Sequence, residues 1–293
     1  MNVRSKRIVL TGAGGQLGSA VVQRLESTYH LLPFTHRQLD LTDHHALTAA
    51  VTSAAPDVII NCAAYTDVDG AESHAALALD VNAFAVRTLA RTAQRLGAVL
   101  IHFSTDFVFD GRSSVPYTES DATNPKSTYA MSKLLGEWFA GEVDSHYVLR
   151  VESLFGGPAV LSSGRRSSVD RIVDAIEQGR ESRVFVDRTV SPSYVLDVAQ
   201  AVGSLIDRQP RPGVYHCVNS GCCTWHELAL EVQRLLGRPA ALTAVSADDV
   251  KLVAERPKYS ALSNRKLADA GIALPAWQDA LSRYLTWRRQ ASA

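Results

Sequence analysis

A short apolar run, Arg7 to Thr11, breaks directly into Gly12-Ala13-Gly14-Gly15-Gln16-Leu17-Gly18, and helical periodicity follows from Gln16 to Ser27. A strand that ends in a glycine-rich turn and opens a helix is the entry to a βαβ unit of a parallel sheet. Gly12 permits the tight turn, Gly15 lets backbone N–H groups approach a pyrophosphate, and Gly18 removes a Cβ where the helix packs closely. Gly14, Gln16 and Leu17 complete the segment that would face a bound dinucleotide.

The rest of the chain fits that beginning. Apolar runs at His30 to Thr35, Asp57 to Cys62, Val99 to Ser104 and Tyr147 to Val151 are continuous, as buried parallel strands are. Helical patterns separate them, near His44 to Ala54, Ala71 to Leu96 and Thr128 to Gly141. After Phe155 the pattern loosens through Gly156, Gly157, Pro158 and a Ser/Arg-rich stretch from Ser162 to Ser168, which predicts a surface loop or a domain crossing. The expected organisation is a dinucleotide-binding domain of residues 1–155 and 188–219, and a substrate domain of residues 156–187 and 220–293. In the second half, helices are expected near Val169 to Gln178, Val195 to Asp207, Trp225 to Leu236 and Trp277 to Trp287, with strands at Val184 to Val186 and Val214 to Val218.

The end of the second strand selects the dinucleotide, because a carboxylate there binds a ribose 2′-hydroxyl and a basic side chain binds a 2′-phosphate. Thr35-His36-Arg37 carries no acid, so Arg37 points to NADP(H), with NAD(H) the second choice. Asp40 and Leu41 follow that strand, and Ala63, Ala64 and Tyr65 follow the third, at the rim where open α/β sheets bind cofactors.

Tyr129 and Lys133 are four residues apart at the start of a predicted helix and so share a face. An ammonium near a phenol favours the phenolate, which suggests that Lys133 lowers the pKa of Tyr129 and makes it a proton donor to a carbonyl oxygen. Thr105 and Asp106 end the fourth strand at the same rim, with the Thr105 hydroxyl placed to hydrogen-bond that carbonyl.

With these residues in this order, the sequence resembles the dTDP-4-dehydrorhamnose reductase family of extended short-chain dehydrogenase/reductases. The likeness runs through Pro56 to Asn61, Ala63 to Asp69, Ser104 to Gly111, Tyr117 to Glu119, Asn124-Pro125, Pro192 to Tyr194, Gly213 to His216 and Arg256-Pro257. It implies a Rossmann-type doubly wound parallel sheet with a smaller α/β substrate-binding domain. By the same likeness Thr105, Tyr129 and Lys133 are catalytic, Tyr129 and Lys133 also contact the cofactor, and Thr105, Asp106 and the residue at position 153 meet the substrate. The implied reaction is NADPH-dependent reduction of dTDP-4-dehydro-L-rhamnose to dTDP-L-rhamnose, which feeds cell-surface polysaccharide. The chain departs from the family where a tyrosine becomes Phe107 and a substrate-contacting tryptophan becomes Ser153, beside a new carboxylate, Glu152. That leaves open another nucleotide sugar, with a reductase or epimerase acting on it, or a non-catalytic NADP-binding regulatory subunit like that of methionine adenosyltransferase. If the rhamnose precursor is still the substrate, Phe155, two residues on, is the candidate to replace the lost ring, against the alternative that it packs in the core.

Composition sets the remaining limits. The 293 residues are 46% hydrophobic and 20% charged, and thirty basic residues balance thirty acidic ones, so no net field draws nucleic acid or an anionic membrane. No apolar stretch spans a bilayer and the apolar run near the N-terminus is too short for a signal peptide, so a reducing, cytoplasmic setting is expected. Cys62, Cys217, Cys222 and Cys223 form no metal-binding spacing, and Asp67, Asp69 and Glu72 read as helix-terminal acids, not a metal site. His216 reads as a hydrogen-bonded core histidine. The expected partner is a nucleotide sugar, with a homodimer left open.

Overall fold

The computed structural model describes residues 5–157 and 167–291. Its centre is a six-stranded parallel sheet of β1 (Arg7–Thr11), β2 (His30–Phe34), β3 (Val58–Asn61), β4 (Val99–Thr105), β5 (His146–Val151) and β10 (Gly213–His216). The spatial order is β10-β5-β4-β3-β1-β2. After β1 the chain steps to one side for β2 and then to the other for β3, and such a reversal opens a crevice at the carboxyl ends of the strands. Asn61, the last residue of β3, pairs with His102, so β4 runs on past its neighbour and carries Thr105 to the rim opposite Val151.

Helices cover both faces. On one, α1 (Gln16–Leu25) packs against α8 (Val195–Arg208), burying Ala20, Val21, Val198 and Val202 over Ile8, Ile60 and Leu149. On the other, α2 (His44–Ala54) and α5 (Ala85–Leu96) bury Leu47, Val51, Val86 and Leu89 over Val9, Ile59 and Leu100. Strands covered on both faces have no polar side to show, which explains their unbroken apolar runs.

The single helix expected over Ala71 to Leu96 is instead broken. Asp67 caps α3 (Val68–Ser73), which stops at His74, and α4 (Ala75–Leu79) then passes through a π-turn at Asp80–Phe84 into α5. The apolar periodicity carries across these breaks, so the sequence hid them. The π-turn places Asn82, fully buried, where its side chain holds both the N–H and the carbonyl of Tyr65 and reaches the Ser132 hydroxyl.

The second half adds three two-stranded pairs. Parallel β6 (Leu154–Phe155) joins β9 (Ser193–Tyr194), parallel β7 (Ser182–Phe185) joins β12 (Leu242–Val245), and antiparallel β8 (Thr189–Val190) joins β11 (Cys223–Thr224). A separate apolar cluster unites α7 (Ser168–Glu177), α9 (Trp225–Leu236) and α10 (Trp277–Ala291) around Phe155, Tyr194 and Tyr284. Capping boxes at Ser167/Asp170 and Thr224/Glu227 fix the starts of α7 and α9. Most of the loop expected at Ser162 to Ser168 lies outside the described residues. Among those described, no helix is long and apolar enough to cross a membrane.

Candidate active site

The glycine turn has the shape that its sequence implies. Gly12 has φ +75°, and a Cβ there would stand 2.5 Å from the Ala63 nitrogen. At Gly18 a Cβ would meet the Gly12 carbonyl oxygen at 2.1 Å, so this glycine serves close packing of α1 onto the turn itself. Gly14 and Gly15 border more open space, and among the described residues no side chain caps the first N–H groups of α1 at Gly15. An uncapped helix start behind a glycine cradle favours a phosphate group. The Ser104 hydroxyl, buried at the end of β4, has no partner among the described residues either. Cradle and orphan hydroxyl fit a dinucleotide lying along the sheet rim, with Gln16 and Leu17 in the first turn of α1 behind it.

The other predicted contacts stand around this cradle. Ala13 donates its N–H to the Phe34 carbonyl at 3.0 Å, tying the turn to the end of β2, and Ala63 donates to Asn61 at 3.2 Å. Ala64 and Tyr65 follow in the loop that Asn82 pins. A groove of about 460 Å³ runs beside the cradle between α1 and the end of β2, lined by Ala13, Ser19, Pro33, Thr35 and Gln38. Arg37 is exposed next to it and makes no hydrogen bond or ion pair among the described residues. Asp40 accepts the N–H and hydroxyl of Thr42, which together hold its carboxyl below the usual range, and Leu41 is buried.

Thr105, Tyr129 and Lys133 come together between the end of β4 and α6 (Thr128–Ala140). Ser127 caps α6, and Glu72 accepts the Thr128 N–H and hydroxyl at 2.9 and 3.0 Å. A buried two-pronged ion pair, Arg150 to Glu137 at 2.9 and 2.7 Å, holds the middle of the helix to β5. Lys133 reaches under the rim to the Phe103 carbonyl at 2.6 Å, and burial lowers its pKa to about 8.

Tyr129 is half-buried and meets Phe107 edge to face at 5.9 Å. The expectation that Lys133 lowers its pKa is not met in this structure. Burial pushes the phenol up to about 12, Thr105 pulls it down by hydrogen bonding, and the Asp106 carboxylate pushes it up again. The ammonium of Lys133 is spent on the Phe103 carbonyl.

Position 153 also departs from expectation. Ser153 lies between β5 and β6 at φ +44°, a left-handed conformation that ends strand alternation there. Residues 153 and 155 therefore do not share a face. Phe155 is fully buried, stacked on Tyr194 at 5.5 Å and edge-on to Tyr284, so it is a core residue and does not replace the missing ring.

Three residues gather beneath Thr105 that the sequence did not bring together. Thr105 donates to Asp106 at 2.9 Å, and the Ser260 hydroxyl lies 2.5 Å from Glu152 and 3.4 Å from the Thr189 carbonyl. Glu152 accepts the Ser191 N–H at 2.8 Å. Burial raises the pKa of Asp106 to about 6, and burial plus the neighbouring Asp106 raises that of Glu152 well above the carboxylate range. Only the adjacency of Glu152 to position 153 was visible in the chain, because Ser260 arrives from more than a hundred residues away.

The remaining candidates have structural partners. Asp67 caps α3, and Asp69 pairs with Arg256 at 2.7 Å, which holds its carboxyl at about 2. His216 is buried and bonded to the Ser263 carbonyl, and burial beside Arg150 lowers its pKa to about 3, out of range for a base at neutral pH. Cys223 is buried and Cys222 exposed, with no disulfide among the described cysteines.

The family model described as "RmlD substrate binding domain" matches residues 6–289. A dTDP-4-dehydrorhamnose reductase of Mycobacterium tuberculosis is 40% identical over 292 residues, 96% of this chain and 93% of that protein. The chain belongs to the dTDP-4-dehydrorhamnose reductase family. Within it, the Bacillus anthracis dTDP-4-dehydrorhamnose reductase in complex with NADP superposes with a TM-score of 0.90 at 32% identity, covering 96% of this chain and 99% of that one. A spore coat polysaccharide biosynthesis protein of Bacillus subtilis, SpsK, is 33% identical over 97% of this chain and 99% of its own length. The Rossmann-type α/β class expected from the glycine turn is therefore the class of the family as well as of this sheet.

Proposed function

We propose that the chain reduces a nucleotide-linked 4-keto sugar with NADPH, converting dTDP-4-dehydro-L-rhamnose to dTDP-L-rhamnose. The observation that carries this reading is that Tyr129 and Lys133 of α6 meet the end of β4, at Phe107 and at the Phe103 carbonyl, beside a glycine cradle whose helix start is uncapped among the described residues. NADPH supplies the hydride that reaches C4. Gly12, Gly14, Gly15, Gln16, Leu17 and Gly18 hold its pyrophosphate, Arg37 its 2′-phosphate, and Asp40, Leu41, Ala63, Ala64 and Tyr65 its remaining length. Tyr129 gives its proton to the oxygen at C4, and Thr105 donates a hydrogen bond to the same oxygen. Lys133 holds the nicotinamide ribose and, once drawn off the Phe103 carbonyl, eases the loss of the Tyr129 proton.

A second reading is favoured by one observation. Ser153 supplies no aromatic platform and a buried carboxyl pair lies beside it, which suits a nucleotide sugar other than the rhamnose precursor. NADPH oxidation measured against a panel of nucleotide-linked 4-keto sugars tests both: turnover of the dTDP-rhamnose precursor above the rest supports the first reading, and another preferred sugar the second. Binding of NADPH with no turnover of any sugar overturns both in favour of a regulatory subunit.

Two features support the wider setting. Four unpaired thiols suit a reducing cytoplasm, where activated sugars for surface polysaccharides are made. Exposed Leu77, Met131 and Trp138 stand on α4 (Ala75–Leu79) and α6, helices that pack together, and suit a homodimer face.

A further inference from the structure

Asp69, in the first turn of α3, is joined three times to a segment that follows it by more than 180 positions. It accepts the Ala254 N–H at 3.0 Å and both arms of the Arg256 guanidinium at 2.9 and 2.7 Å. The next residue, Pro257, closes on Gly111, where a Cβ would stand 2.5 Å from that of the proline, and Tyr259 donates its N–H to the Gly111 carbonyl at 3.4 Å. The Ser260 hydroxyl then lies 2.5 Å from Glu152. Asp69 follows β3, Gly111 follows β4 and Glu152 follows β5, three strands adjacent in the sheet. Residues 254–260 therefore cross the carboxyl ends of these strands, over the rim where β4 delivers Thr105.

The two ends of this segment are held differently. Toward Ser260 it belongs to the second half of the chain: Thr189 of β8 donates its N–H to the Lys258 carbonyl at 2.8 Å and accepts the Ser260 N–H at 2.9 Å, and Arg188 donates to the Pro257 carbonyl at 3.3 Å. At the other end, Leu252 and Val253 stand exposed, and Asp69 is what ties Ala254 and Arg256 to the first half. Among the described residues, no hydrogen bond or ion pair joins the segment to the Gly12–Gly18 turn or to residues 35–41. It borders the cleft away from the cofactor cradle.

We propose that Asp69 and Arg256 are positioning residues for the nucleotide sugar: their ion pair latches residues 254–260 across the ends of β3, β4 and β5 as the outer wall of the sugar site. Two-pronged, charge-assisted contacts of this kind fix geometry as well as adding strength. A wall that can leave the rim makes affinity depend on how often it is shut, because the apparent dissociation constant is the intrinsic one divided by the closed fraction. Bound sugar favours the closed form, so at saturation Thr105 and Tyr129 meet the substrate as in the latched protein. Loss of the latch falls on KM, and kcat is retained.

This inference rests on the reductase reading, and its test tells the two apart. In Asp69→Asn and in Arg256→Met, KM for the preferred keto sugar is expected to rise about tenfold, with kcat within about threefold and the NADPH dissociation constant unchanged. The double variant should rise no further than either single one, since both remove the same contact. Hydrogen exchange of the unliganded protein, which needs no turnover, should quicken over residues 254–260 in all three variants and stay the same in β4 and α6. Turnover in the wild type with an unchanged KM in the variants overturns the latch. So do KM rises that multiply in the double variant, exchange that does not quicken over 254–260, or a joint loss of kcat and NADPH affinity, the mark of a general packing defect. Absence of keto-sugar turnover in the wild type overturns the reductase reading itself, and this inference with it.

Discussion

The carboxylate of Glu72 takes both the backbone N–H and the hydroxyl of Thr128, across 56 positions of sequence, at the first turn of the helix that carries Tyr129 and Lys133. The orphan donors of a helix start are thereby used to fix its angle relative to the rim of the sheet. Glu72→Ala removes both contacts, and chemical denaturation is expected to show a loss on the order of 1 kcal/mol, the usual scale of a helix-start cap. Steady-state kinetics should show kcat falling more than KM rises, because Tyr129 moves with α6; an unchanged kcat denies the pair this role.

Tyr129→Phe keeps the edge-to-face packing on Phe107 and removes the proton donor. The expected result is a fall of at least ~10²-fold in kcat, with NADPH affinity little changed. Burial pushes the Tyr129 phenol up to about 12, so it stays protonated across the neutral range. A wild-type kcat in Tyr129→Phe removes it from the reaction.

Arg37 stands exposed beside the groove at the end of β2, with no ion pair among the described residues. NADPH is expected to bind more tightly than NADH, and Arg37→Ala to narrow that gap mainly by weakening NADPH. Equal dissociation constants for the two cofactors in the wild type would place the arginine outside the site.

What was legible in the chain were features carried by local pattern. The turn at Gly12 and the buried strands announce themselves because a positive φ and two covered faces leave marks within a few residues. The break at His74 and the π-turn at Asp80–Phe84 did not, because apolar spacing persists through them. The pairing of Glu152 with Ser260 was unreadable, since tertiary folding alone joins the end of β5 to a segment near residue 260. The pKa of Tyr129 was misjudged for a related reason: helical spacing gave the distance from Lys133 along α6, but not the Phe103 carbonyl that draws the ammonium away.

The carboxyl pair also predicts an effect on stability. Asp106 ionises near 6 in the folded protein against 3.8 for the free side chain, and Glu152 is shifted the same way. A carboxyl whose folded pKa is raised binds more protons folded than unfolded between those values, so its contribution is full below the unfolded pKa and is lost as pH rises through the folded one. Carboxyls held low, such as Asp69 at about 2, act oppositely and at lower pH. The comparison of interest is therefore between proteins: from about pH 4 upward, wild-type unfolding free energy is expected to decline relative to Glu152→Gln, as urea titrations at successive pH values would measure. Parallel curves would mean that Glu152 is not shifted.

Ser153 combines two demands that a single substitution separates. Its φ of +44° is a conformation that costs an ordinary residue roughly 1 kcal/mol and glycine almost nothing, so Ser153→Gly is expected to raise stability by up to about that amount. Ser153→Trp keeps the backbone cost and adds a ring. Phe155 is committed to the stack with Tyr194 and Tyr284, so it does not compete for the space that a ring at 153 would enter. If that space lies over the sugar, the added contact should lower KM for the dTDP-rhamnose precursor by a factor corresponding to about 1 kcal/mol, with no gain for sugars of other shape. A raised KM for every sugar, measured beside the Ser153→Gly control, would show instead that the turn at 153 has no room for a ring and that this enzyme holds its substrate without a platform there.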